Sequence, residues 1–120
     1  MHRTVFFISD STGITAETIG NSILAQFEGV QFDKHRLPFT DNAHKAEAAA
    51  LRIKTNYAQT GQRPIVVNTM AERALCEIVA ASGALMLDVF APFIGPLEEE
   101  LSTKRSGAVN RSHGMVDFDK

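Results

Sequence analysis

The stretch Thr4-Val-Phe-Phe-Ile-Ser-Asp-Ser-Thr-Gly-Ile-Thr-Ala-Glu17 decides the fold of this chain. It opens with an apolar run, residues 5–8, whose length and β-branched and aromatic content are typical of a buried strand. A polar turn, residues 9–13, follows, and a helical pattern begins directly after it. Strand, turn and helix form the first half of a βαβ unit, in which ligands bind beyond the carboxyl end of the strand.

The turn carries groups that suit an anion. Ser11, Thr12 and Thr15 supply hydroxyls, Asp10 supplies a carboxylate, and Gly13 lets the backbone come close to a ligand. Free N–H groups at a helix start, together with the helix dipole, favour a negatively charged ligand such as phosphate. The same residue types are ordinary helix caps, so the pattern alone fits a well-capped helix equally well.

Composition narrows the class of protein. A chain of 120 residues with 44% apolar content predicts one domain with a modest core. The net charge of −2 provides no basic field for nucleic acid, and no apolar run reaches the ~20 residues of a membrane span. The single cysteine, Cys76, excludes an internal disulfide, suits a reducing cytoplasm and is interpreted as a small core residue.

Strand and helix patterns alternate along the rest of the sequence. Strands are predicted at residues 3–8, 30–37, 65–67 and 84–90, and helices at residues 14–27, 43–59, 71–82 and 97–101. This order implies a mainly parallel sheet with helices on both faces. The predicted fold class is α/β, a three-layer αβα domain with a four-stranded sheet, flavodoxin-like or Rossmann-like. We assign it residues 1–105, and residues 106–120 to a polar tail or the start of a connection.

Local signals give finer predictions. The second strand alternates apolar and polar residues, which is typical of an edge strand. Asp41 and Asn42 are predicted to cap the second helix, and Thr69 with Glu72 matches a capping box for the third. Pro96 suits the first turn of the last helix. The first helix is predicted to bury one apolar stripe, formed by Ile19, Ile23, Leu24 and Phe27.

Three candidate features remain after a search for known motifs. The first is the turn described above. The second is Asn68 and Thr69, which follow the third strand and so lie at the same sheet edge as the turn, although Thr69 is more simply explained as a capping hydroxyl. The third is Arg111 and His113 beside a glycine, a set that suits phosphate recognition. The alternative interpretation is that these residues belong to a polar chain end without a binding role.

Other motifs are missing from the sequence. No glycine is followed by lysine, so the phosphate-binding Walker A pattern is absent, and so is G-x-G-x-x-G. The four histidines lack zinc-ligand spacing, and no metal site is predicted.

Residues 5–17 resemble the N-terminal signature of the bacterial and plastid regulatory proteins of phosphoenolpyruvate synthase and of pyruvate, phosphate dikinase. Similar segments follow in the same order across the chain: Leu37-Pro-Phe39, Gln59-Thr-Gly-Gln-Arg-Pro64, Ala91-Pro92 and Arg111-Ser-His-Gly-Met115. The first motif and the Arg-x-His-Gly segment make the resemblance specific, because a generic α/β fold demands neither.

The resemblance implies an unusual pair of reactions. Members of that family phosphorylate a threonine of their target enzyme with ADP as donor, and remove the phosphate by phosphorolysis with inorganic phosphate, which releases pyrophosphate. Their nucleotide-binding P-loop lies in a C-terminal domain that this sequence does not contain. The chain then corresponds to the N-terminal domain alone, with no cofactor of its own and, without the P-loop lysine and hydroxyl, no activity alone.

The resemblance also implies roles for the candidate residues. Asp10 would act as a base on the threonine hydroxyl, and the turn from Ser11 to Gly13 would hold phosphate or the phosphothreonine loop. Arg111 and His113 would contact transferred phosphate across a domain boundary. The implied partners are phosphoenolpyruvate synthase or pyruvate, phosphate dikinase and the C-terminal kinase domain, in the cytoplasm.

Two alternatives stay open beside this reading, and so does homodimer formation. One is a target-docking and oligomerisation module. The other is a small domain that binds a phosphate-containing ligand. Neither nucleic acid nor a membrane is an expected partner.

Overall fold

Eight elements alternate strictly between strand and helix in the computed structural model, which describes residues 1–105. The strands are β1 His2–Ile8, β2 Gln31–Leu37, β3 Ile65–Asn68 and β4 Leu85–Asp88. The helices are α1 Ile14–Leu24, α2 Ala43–Thr60, α3 Arg73–Ala80 and α4 Ala91–Leu101. The predicted alternation is confirmed. The division at residue 105 stays a prediction, because residues 106–120 lie outside the described part of the chain.

All four strands run parallel in the order β2-β1-β3-β4, which confirms the predicted α/β class. β2 lies at an edge, as its alternating sequence predicts. β1 lies inside the sheet, where Ile8 pairs with Leu37 on one side and with Asn68 on the other. The chain leaves β1 for β2 and returns to β3 on the opposite side, so the topological switch point lies between β1 and β3.

Alternate residues of β1 enter two separate cores, one on each face of the sheet. Phe6 and Ile8 pack with residues of α2 and α3, whereas Val5 and Phe7 pack against α1. All four side chains are at most 2% exposed. Helices therefore cover both faces of the central strand, which is the three-layer arrangement expected of such a sheet.

The predicted apolar stripe of α1 is confirmed at Leu24 and wrong at Ile23 and Phe27. The face turned to the sheet consists of Ala16, Gly20 and Leu24, whereas Ile23 is 50% exposed and Phe27, beyond the end of the helix, is 58% exposed. The reason is close packing on Phe7, whose Cε1 would lie 2.5 Å from a Cβ added at position 20. Only small residues allow α1 to approach the sheet this closely.

The helix ends differ in how well the sequence predicts them. Asn42 caps α2 through its side-chain oxygen, which accepts a hydrogen bond from the Lys45 N–H at 2.9 Å, as predicted. The last helix begins six residues earlier than predicted, so Pro92 lies in its first turn and Pro96 lies inside it. Proline is tolerated in a first turn because its missing N–H would have no partner there. Within residues 1–105, no helix is both long enough and apolar enough to span a bilayer.

Candidate functional site

The turn after β1 is joined to the loop after β2 by backbone hydrogen bonds. The Ser9 N–H donates to the Leu37 carbonyl at 3.2 Å, and the Thr40 N–H donates back to the Ser9 carbonyl at 2.8 Å. The Phe39 N–H donates to the Ser11 carbonyl at 2.8 Å. These bonds extend the β1–β2 ladder past the strands and fix the first half of the turn.

A second set of bonds joins the same turn to the loop after β3. The Ala71 N–H donates to Asp10 Oδ2 at 2.9 Å, and the Thr69 N–H donates to the Ile8 carbonyl at 3.0 Å. Asn68 Oδ1 accepts from the Met70 N–H at 2.9 Å. The structure therefore brings the turn together with Asn68 and Thr69 at the switch point of the sheet.

The predicted capping box of Thr69 and Glu72 is wrong. The N-cap of α3 is Glu72, which makes no side-chain capping bond, and the Thr69 hydroxyl donates to the Ile8 carbonyl at 3.4 Å instead. Thr69 is buried against β1 and continues the β1–β3 ladder, so its hydroxyl lies too far from the helix start to cap it. Asp10 and Asn68 accept the loop N–H groups in its place.

The start of α1 is capped weakly. Gly13 is the N-cap, in the left-handed conformation with φ +89°, and it has no side chain to accept a bond. The Thr12 hydroxyl accepts from the Ile14 N–H only at 3.5 Å, the limit for a hydrogen bond. Among the described residues, the N–H groups of Gly13, Thr15 and Ala16 have no acceptor. The ordinary well-capped helix is therefore not what forms here.

Burial divides the candidate residues into two groups. Five of them are each less than 9% exposed and take part in hydrogen bonds within and between the loops: Ser9, Asp10, Ser11, Asn68 and Thr69. Thr12 and Thr15 are partly accessible to solvent. At the start of α1, Ile14 is exposed, whereas Gly13 and Ala16 are buried.

A cavity of about 520 Å³ lies beyond the carboxyl ends of β3 and β4, at the same edge of the sheet as the turn after β1. Asn68 bridges two of its lining residues, because its Nδ2 donates to Asp88 Oδ1 at 2.6 Å and to Cys76 Sγ at 3.2 Å. Burial is the main cause that raises the pKa of the Cys76 thiol above its ordinary value. Cys76 is half-buried and packs against the larger core, in line with its interpretation as a core residue.

The sequence reasoning missed this cavity. Asp88 is the last residue of the apolar strand β4, as Asn68 is of β3, and a polar residue at that position points to the same sheet edge. Arg111 and His113 lie outside the described residues. No group of three or more His, Cys, Asp or Glu side chains in the described residues has an arrangement that holds a metal ion.

A family model described as "Kinase/pyrophosphorylase" matches residues 5–120. The chain belongs to the kinase/pyrophosphorylase family. This agrees with the resemblance carried by residues 5–17, which form β1, the turn and the first residues of α1.

Curated members of the family are similar over almost the whole chain. Proteins named "Putative phosphoenolpyruvate synthase regulatory protein" are 56% identical over 117 residues in Xanthomonas campestris pv. campestris strain B100 and in Stenotrophomonas maltophilia strain R551-3. The protein of that name in Xanthomonas oryzae pv. oryzae strain MAFF 311018 is 55% identical over the same length. Each match covers 98% of this chain and 43% of the relative. The chain thus spans less than half the length of these relatives.

Proposed function

We propose that this chain is the N-terminal part of a cytoplasmic bifunctional regulatory enzyme. The full protein uses ADP to phosphorylate a threonine of phosphoenolpyruvate synthase or of pyruvate, phosphate dikinase. It uses inorganic phosphate to remove that group as pyrophosphate. Membership of the kinase/pyrophosphorylase family and the names of the relatives support this assignment.

The observation that carries the proposal for this domain is the unbonded start of α1. Three N–H groups, of Gly13, Thr15 and Ala16, lack acceptors among the described residues, and they stand at the switch point of a parallel sheet. N–H groups in this position bind phosphate in many α/β proteins, because hydrogen bonding and the helix dipole act together. The hydroxyls of Thr12 and Thr15 add donors that reach a phosphate oxygen.

The buried candidate residues hold the backbone around this site in place. We assign Asp10, Asn68 and Thr69 to positioning, because each already bonds a backbone group. Asp10 accepts an N–H of the loop after β3, Asn68 accepts an N–H within its own loop, and the Thr69 hydroxyl donates to the end of β1. The general-base role of Asp10 stays a prediction, as do the phosphate contacts of Arg111 and His113. A domain with a P-loop, supplied by the rest of the full protein, would hold the nucleotide, and this chain alone is proposed to be inactive.

A titration of the ¹⁵N-labelled chain tests the phosphate site. Phosphate and pyrophosphate are each added while the backbone amide resonances are recorded, with sodium chloride at matched ionic strength as control. We expect saturable shifts at Gly13, Thr15 and Ala16, because these N–H groups gain an acceptor. Shifts that chloride reproduces, or that spread evenly over all exposed amides, would contradict the site.

An activity assay tests the assignment of the enzyme. The full-length protein is incubated with phosphoenolpyruvate synthase or the dikinase and ADP labelled in its β-phosphate, and label on a target threonine is measured. The 120-residue chain serves as the control that transfers none. Absence of transfer to both targets by the full-length protein would overturn the function while leaving the phosphate site to its own test.

A further inference from the structure

A groove separates the edge strand β2 from helix α2. It consists of two cavities of about 430 and 300 Å³, which share Ala48 and Arg52 in their linings. Phe6 and His35 lie at one end, and Arg36 and the loop that follows β2 lie at the other. The shared residues place the two cavities side by side along α2.

The groove is positively charged. The charged side chains that line it are Lys45 and Arg52, and no carboxylate lines either cavity among the described residues. Lys45 pairs with Asp41 at 3.4 Å, so it is partly neutralised from outside the lining. Arg36 also borders the groove, but its side chain pairs with Glu17 of α1 at 3.0 Å on the other face of the sheet. The exposed ion pair of Lys45 is weak and leaves this cation able to exchange partners.

Arg52 is oriented without being neutralised. Its Nη2 donates to His35 Nδ1 at 3.3 Å, and its Cζ lies 5.8 Å from the centroid of the Phe6 ring. Because a guanidinium group only donates, Nδ1 is the acceptor and the ring proton sits on Nε2, toward Asp33 at 3.4 Å. A stacked contact between His35 and Phe6 fixes the ring. Arg52 thus keeps its full charge, with no carboxylate partner among the described residues.

Apolar side chains are exposed beside these cations. Leu51 lines the groove and is 65% exposed, and Phe39 is 52% exposed between Pro38 and Thr40, which also line it. Phe39 has φ +56°, an unfavourable conformation for a bulky residue. Its backbone is held there by the bond to Ser11 and by that of Thr40 to Ser9. Strain of this kind collects at functional surfaces.

We propose that this groove binds an acidic peptide segment of a partner protein. Carboxylates of the segment pair with Arg52 and Lys45, and an apolar side chain packs on Leu51. Charge complementarity favours such a segment, because the lining combines cations with aliphatic and aromatic surface. Nucleic acid is disfavoured, because the whole chain carries a net charge of −2. This inference is independent of the proposed phosphotransfer.

Binding of a fluorescein-labelled decapeptide of alternating glutamate and leucine tests the groove by fluorescence anisotropy. Arg52→Glu should weaken binding about tenfold or more, since it replaces the unpaired cation with a repelling charge. The matched control is Lys54→Glu, which makes the same charge change on the same exposed helix but outside the lining, and it should change affinity less than about twofold. Circular dichroism of both variants establishes that they are folded.

Two further probes make the test decisive. Leu51→Ser keeps every charge and should weaken binding several-fold, because it removes apolar contact area. A lysine–leucine decapeptide should not bind. The proposal is overturned if the acidic peptide fails to bind, if both charge variants lose affinity equally, or if a single-stranded oligonucleotide binds more tightly than the acidic peptide.

Discussion

The carboxylate of Asp10 accepts a hydrogen bond from the backbone N–H of Ala71, 61 positions further along the chain, at 2.9 Å. This contact connects the segment after β1 to the segment after β3, on either side of the point where the strand order reverses. Both the turn that faces the proposed ligand and the start of the α3 region therefore depend on one buried carboxyl group.

Replacing Asp10 should reduce stability. Asp10→Ala leaves the Ala71 N–H without its acceptor and should lower the free energy of unfolding by roughly 1–3 kcal/mol. Asp10→Asn keeps an acceptor oxygen and should cost less. Urea unfolding measures both, with Asp41→Ala as the exposed control, expected to change stability by less than about 0.5 kcal/mol. Equal losses at positions 10 and 41 would contradict the structural role of Asp10.

Two helical glycines should respond differently to alanine. In α1, Gly20→Ala places a Cβ 2.5 Å from Phe7 Cε1 and should destabilise the protein by about 1–3 kcal/mol through overpacking. In α4, nothing lies within 4 Å of the added Cβ of Gly95→Ala. Its gain in helix propensity is opposed by the following Pro96, so the change should stay within about 0.5 kcal/mol. Thermal unfolding of both variants measures the contrast, which a Gly20→Ala protein of unchanged stability would refute.

Alanine variants of two glycines with positive φ distinguish the effect of backbone strain from an effect on ligand binding. Gly13 has φ +89° and Gly29 has φ +86°, and an added Cβ meets no close neighbour at either position. Both alanine variants should therefore lose a similar amount of stability, about 1–2 kcal/mol. Only Gly13→Ala should also weaken phosphate binding in the amide titration, because its methyl group restricts approach to the start of α1. Unchanged phosphate affinity in Gly13→Ala would argue against an anion at that turn.

The capping of α2 and α3 gives a matched pair of changes. Asn42→Ala removes the side chain that accepts the Lys45 N–H and should cost about 1 kcal/mol. Glu72→Ala removes a side chain that makes no capping bond, so the change should be below about 0.5 kcal/mol. Chemical denaturation distinguishes the two. A larger loss of stability for Glu72→Ala than for Asn42→Ala would show that Glu72 does cap α3, as the capping box predicts.

The raised pKa of Cys76 makes stability depend on pH in the alkaline range. Burial holds the folded thiol neutral above its ordinary pKa of 9.0, whereas the unfolded thiol ionises there. The unfolded state therefore binds fewer protons, and stability should be complete below about pH 9 and fall as pH rises toward the folded pKa. Urea midpoints from pH 8 to 10 measure this against Cys76→Ala, which lacks the thiol. Parallel pH profiles for the two proteins would contradict the raised pKa.

The local sequence predicts the central strand and the cap of α2 because short-range patterns decide both. Residues 5–8 form an apolar run too continuous for a half-exposed strand, and Asn42 directly precedes its helix. The buried face of α1 is different. Hydropathy counts Ile23 and Phe27 as core and gives Gly20 no weight, although the approach of Phe7 requires a residue without a side chain.

The candidate site divides in the same way. Its location at the end of β1 follows from the order of strand, turn and helix. Its hydrogen bonds cannot be predicted from the local sequence. The local sequence makes Thr69 a helix cap, whereas the pairing of β3 with β1 makes it bond the end of β1 instead. The partner of Asp10 is 61 positions away, and no local pattern encodes that distance.

The position of β1 also has a consequence for synthesis of the chain. β1 leaves the ribosome well before its neighbour β3, which ends only at Asn68. The apolar run of residues 5–8 therefore stays uncovered on at least one side while the nascent polypeptide lengthens by some sixty residues. Such an interval exposes an adhesive apolar segment to misassociation and makes it a natural target for ribosome-bound chaperones.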